Sequence, residues 1–67
     1  MNKYYISTYR DPNKGNEIHK EDCRYMPDIK NRMYLGSFYN CQQAVRLAKL
    51  TFPNSEGCKF CMSDCNK

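Results

Sequence analysis

The sequence predicts a small α+β domain, and three observations predict it. A Tyr- and Ile-bearing N-terminal stretch runs into a dense turn, as a hairpin does. One segment, Asn40 to Phe52, carries apolar residues at helical spacing. The chain has only 67 residues, a size at which an apolar core alone supplies too little free energy, and it carries five cysteines and one histidine as possible staples.

Taken in order, Lys3 to Tyr9 is rich in Tyr, Ile and Thr, side chains suited to a pleated, half-buried surface, and reads as a strand. Asp11-Pro12-Asn13-Lys14-Gly15-Asn16 is a run of turn formers, after which Glu17 to His19 returns as the second strand of a hairpin. Beyond Cys23 the chain is irregular or briefly helical, because Pro27 disfavours a helical Met26. Arg32-Met33-Tyr34-Leu35-Gly36 reads as a third short strand ended by its glycine. Asn40 with Gln43 three positions on is a capping-box signature, and the helix it opens runs to Phe52 and stops before Pro53. On a helical wheel Cys41, Ala44, Val45, Ala48 and Phe52 share one stripe, which should lie on the sheet, while Gln42, Arg46 and Lys49 face away. Asn54 to Gly57 is a turn, and Met62 to Lys67 adds at most one or two helical turns. Tyr34, Phe38 and Phe52 are expected in the core, since a small core needs its aromatics. No repeat, low-complexity run or linker interrupts the chain, so 1–67 reads as one domain.

The staple is legible in the spacing. Structural zinc takes four nitrogen or sulfur ligands, commonly as two close pairs. Cys58-x2-Cys61 has the spacing of a knuckle, and Gly57 before it suits a tight turn. His19-x3-Cys23 supplies a second pair at a strand end. One Zn2+ held by His19, Cys23, Cys58 and Cys61 is therefore expected, making the fold a zinc-stapled α+β domain with a C-terminal knuckle. A dithiol redox motif fits less well, because that usually opens a helix after a βαβ-type strand and this pair trails the main helix. Two cysteines remain. Cys41 lies on the apolar stripe and is expected as a small buried hydrophobe, or else as a thiol activated at the helix start. Cys65 lies one helical turn beyond Cys61, so an all-cysteine site with Cys65 in place of His19 stays open.

Composition bounds the function. The odd cysteine count would leave a thiol outside a closed disulfide framework, and the first residues hold no apolar stretch long enough for a secretory signal, so a reducing, cytoplasmic setting is expected. The longest apolar-rich piece is interrupted by Arg46 and Lys49, which argues against a membrane span. The formal charge of +4 falls to +3 when three thiolates and a dication are included, an ordinary solubility charge that also admits an acidic or nucleic-acid partner.

The same residues resemble the zinc-binding domain of the bacterial Ada DNA-repair protein and its small relatives. The matching stretches are His19-Lys20-Glu21-Asp22-Cys23, Met33-Tyr34-Leu35-Gly36, Asn40-Cys41-Gln42-Gln43-Ala44 and Gly57-Cys58-Lys59-Phe60-Cys61, and from first to last the resemblance covers about two-thirds of the chain. In that family the first cysteine of a C-x3-C pair is a zinc-activated methyl acceptor. His19 stands at that position here, and imidazole is not that nucleophile. Extra residues, Leu50 to Glu56, also depart from the pattern, and no helix-turn-helix region follows. The likeness is to the H-x3-C variants found as small bacterial proteins or appended domains, and it implies a fold and a metal without a reaction.

The expected function is thus a non-catalytic, monomeric zinc module that binds a macromolecule, with nucleic acid or a protein as partner. Lys20, Arg24, Lys30, Arg32, Arg46, Lys49 and Lys59 are the basic residues expected near the site and on the exposed helix face, and Tyr25 and Phe60 are either stacking surfaces or core. Thiol chemistry at zinc is the weaker alternative, since it needs an exposed sulfur.

Overall fold

The computed structural model describes residues 1–13 and 15–65, with backbone alone at Asp64. Strand β1 (Asn2–Ser7) pairs antiparallel with β2 (Glu17–Lys20) on one side and with β3 (Arg32–Phe38) on the other. Helix α1 (Cys41–Thr51) follows, and then β4 (Glu56–Gly57), which pairs parallel with β2 to give the order β3-β1-β2-β4. Single 3-10 turns occupy Ile29–Asn31 and Ser63–Cys65.

The hairpin forms where its turn residues demand. Asp11 and Gly15 exchange two backbone hydrogen bonds, of 2.9 and 2.7 Å, and Gly15 takes φ +70°, a conformation that glycine adopts without steric cost. A side chain there would also run into the Asn54 carbonyl, so the glycine lets the loop after α1 pack against the hairpin tip. Lys14 of the expected turn lies outside the described residues.

The alternation of β1 sets the faces. Tyr4 and Ile6 are buried and meet Ile18, Ala44, Ala48 and Met62 in the core, while Leu35, Phe38, Val45 and Phe52 close its margins. Cross-strand partners share a face, so Tyr34, which sits opposite Tyr5, points away from α1. This corrects the expectation that Tyr34 is core: it is 51% exposed, its ring centroid lies 5.2 Å from that of Tyr5, and Arg32 stacks over Tyr5 at 5.1 Å. Phe38 and Phe52 do pack on the core. The third strand also runs two residues past Gly36. Gly36 takes φ +140° opposite Tyr4, and the register slips between Tyr4 and Tyr5, leaving Leu35 as the extra residue between Tyr34 and Gly36, so Leu35 and Phe38 can both face inward.

The helix starts as its sequence dictates. The Asn40 side chain accepts from the Gln43 N–H at 3.0 Å, and the Gln43 side chain accepts from the Tyr39 N–H at 3.0 Å. Ala44 and Ala48 are buried, Gln42, Arg46 and Lys49 are exposed, and the chain leaves the helix at Phe52, before Pro53. Among the described residues no helix is long and apolar enough to cross a membrane.

Candidate metal centre

Strand pairing brings the four candidate ligands together. Ile18 turns inward and its carbonyl accepts the Cys58 N–H at 2.9 Å, so the chain entering the knuckle runs beside His19. That contact continues the parallel β2–β4 pairing, in a segment that the sequence alone reads as a turn. Cys23 is carried by the turn after β2, where its N–H donates to the Lys20 carbonyl at 3.0 Å. The Met62 N–H donates to the Cys58 carbonyl at 2.8 Å and closes the knuckle. Gly57 has no positive φ, and its value is space: a Cβ there would lie 3.1 Å from the Cβ atoms of Met62 and Cys65.

His19, Cys23 and Cys58 are buried and Cys61 is half-buried, with one ligand atom from each lying within 4.8 Å of the others. Cys23 Sγ is 3.5 Å from His19 Nδ1 and 4.0 Å from Cys58 Sγ. A tetrahedral ion with metal–sulfur bonds of about 2.3 Å and metal–nitrogen bonds of about 2.0–2.1 Å spaces its ligands about 3.8 Å apart sulfur to sulfur and about 3.6 Å sulfur to nitrogen. The cluster therefore has the dimensions of one such site. Among the described residues no other group of three or more His, Cys, Asp or Glu gathers in this way.

The electrostatics match. Burial holds His19 below its ordinary value of 6.5, with Glu17 pulling the other way, so the imidazole is neutral, as a ligand must be. The Cys61 thiol is pushed up to about 12, first by burial, then by its hydrogen bond with Cys23 and the charges of Cys58 and Cys23, against which the Lys20 N–H lowers it. That N–H points at Cys61 Sγ across 3.4 Å, a donor that supports a thiolate. A cation held beside the Cys61 sulfur would reverse that resistance to ionising. Of the acids near His19, Glu21 is engaged by Lys3 at 3.8 Å.

The other two cysteines have a different fate. Cys41 and Cys65 are joined by a disulfide, with Cα atoms 6.2 Å apart. Cys41 is thus half-buried at the core margin as half of a cystine, and neither a lone buried hydrophobe nor an activated thiol. Cys65 is bonded away from the metal cluster, which removes the all-cysteine alternative from this structure. The signal was present as two unclaimed cysteines, one opening α1 and one just past the knuckle. The expected basic cluster also divides: Lys20 and Arg24 line a cleft with Cys23 and Cys61, Arg32 packs on Tyr5 and donates to the Pro27 carbonyl at 3.1 Å, and Lys49 lines a separate cavity with Arg10.

Neither family models, curated proteins nor solved structures match this chain. The functional reading therefore rests on the site itself.

Proposed function

We propose that this chain is a non-catalytic module whose fold is held by one zinc ion on His19, Cys23, Cys58 and Cys61. The observation that carries the reading is the convergence of four soft ligand atoms within 4.8 Å, two from the hairpin end and two from the C-terminal knuckle. Three thiolates, an imidazole and no carboxylate are a donor set for zinc rather than for magnesium or calcium. Four protein ligands complete a tetrahedron and leave no position for an activated water, so the role is structural.

The magnitudes agree. A core of this size yields about 3–5 kcal/mol, whereas structural zinc contributes an apparent ~10–16 kcal/mol in small domains, enough to decide whether the chain folds. The likeness to the H-x3-C variants of the Ada zinc domain is one of motif order and supports the same assignment. A folded module of this kind acts by presenting a surface to a macromolecule, nucleic acid in the first instance and protein in the second. A reducing compartment would leave the metal site intact and hold Cys41 and Cys65 as thiols, and an oxidising one would keep them paired. Native mass spectrometry of the purified protein tests the assignment. One zinc per chain is expected, lost in Cys58→Ser, and a metal-free chain or an iron–sulfur mass would overturn it.

A further inference from the structure

Two rings project from the metal end of the molecule. Tyr25 follows Cys23 by two positions and Phe60 lies between Cys58 and Cys61, so each half of the ligand set carries one ring. Both are largely exposed, at 50% and 59%, yet their centroids are only 4.3 Å apart, with the planes inclined by 30°. A core does not explain this exposure, and the separation and tilt mean that the two rings stack on each other, so each holds the other in place and the pair offers an outer ring face to solvent. Beside the rings opens a cleft of about 420 Å³, lined by Lys20, Arg24, Cys23 and Cys61 with Asp22 as its one acid. Lys59 adds a third cation, its ammonium 5.4 Å from the centre of the Phe60 ring.

The chemistry of this surface selects its partner. An acidic peptide would engage the cations and leave the rings idle. A nucleic-acid duplex would engage the cations but keep its bases stacked internally. Aromatic faces set among cations suit an unpaired base with phosphates on either side, because every base offers a flat face and every linkage a negative charge. We propose that Tyr25 and Phe60 form a stacking platform for single-stranded nucleic acid whose phosphates lie against Lys20, Arg24 and Lys59. The proposal rests on the metal-module reading only in that the ion ties the two ring-bearing loops together.

Fluorescence anisotropy tests it, using labelled thymidine and uridine strands of about twelve nucleotides and a duplex of the same length. Ion content is measured on the same preparation. Both strands should bind saturably and more tightly than the duplex, and a deoxyuridine strand, which differs from uridine only at the 2′ position, reports any contact with the 2′-hydroxyl. Tyr25→Leu and Phe60→Leu, which keep apolar bulk in the loops, should each weaken binding about 5- to 150-fold while the ion and the amide spectrum are retained. Lys20→Gln, Arg24→Gln and Lys59→Gln should each flatten the slope of log affinity against log salt by about 0.7. Asp22→Asn should tighten binding. Strands that fail to bind at low salt, affinity unchanged in both leucine variants, or a tighter duplex would overturn the platform. Ring-dependent binding by a protein that holds no ion would uphold the platform and overturn the metal reading; an ion-loaded protein that ignores both strands would do the reverse.

Discussion

Replacing Cys65 with serine removes the link between the start of α1 and the segment beyond the knuckle. The two cysteines are 24 positions apart. Closing a loop of that length removes unfolded-chain entropy equivalent to about 3.4 kcal/mol at 25 °C in the chain-entropy model. For a domain of 60–100 residues each kcal/mol moves the midpoint by about 4–8 °C, so Cys65→Ser should melt about 14–27 °C below the oxidised parent. Metal content should be unchanged, because Cys65 supplies no ligand to the cluster. The assay is thermal unfolding of both proteins by circular dichroism, with native mass spectra before heating, and then the same pair in reducing buffer. There the two melting curves should converge. Equal midpoints under oxidising conditions would mean that the Cys41–Cys65 link adds no stability, and loss of the ion from the serine variant would mean that Cys65 is coupled to the metal.

Two further outcomes follow from single interactions. Asn40→Ala removes the acceptor of the 3.0 Å bond from Gln43 N–H and should cost about 1 kcal/mol, read as a midpoint about 4–8 °C lower; an unchanged midpoint would mean that the cap contributes nothing here. Acid, and not base, should release the ion. The His19 pKa is depressed in the fold, so the contribution of its neutral form is complete above the ordinary value of 6.5 and is lost as pH falls below it, while the thiolates regain protons in the same direction. A metal-release titration followed with a chromogenic chelator should show the loss on the acid side of 6.5, and retention there with loss only at alkaline pH would contradict it.

Much of the fold was legible because its signals are local. The Asn40 and Gln43 cap, the Ala44 and Ala48 stripe and the Asp11 to Asn16 turn each report on their own few residues, and each places an element within two or three positions. The errors lie where distant pairing decides. Tyr34 has the composition of a core residue, and only its register opposite Tyr5 turns it outward. Strand β4 is two residues long, and the turn formers Pro53, Asn54 and Ser55 precede it. It exists because β2 lies alongside it. The four candidate ligands could be chosen from spacing, since a close pair reveals itself in sequence. The Cys41–Cys65 bond could not, because its partners share no motif and meet only when α1 lies on the sheet.

In the zinc-module proposal one ion clips the hairpin to the C-terminal knuckle and thereby folds the chain. Two-dimensional amide NMR of the isotopically labelled protein, before and after a strong chelator at neutral pH and again after one equivalent of zinc, is the decisive measurement. Dispersed resonances should collapse on chelation and return with the added ion, the largest changes falling at Ile18, His19, Cys23, Cys58 and Cys61. A spectrum that keeps its dispersion without metal would contradict the proposal.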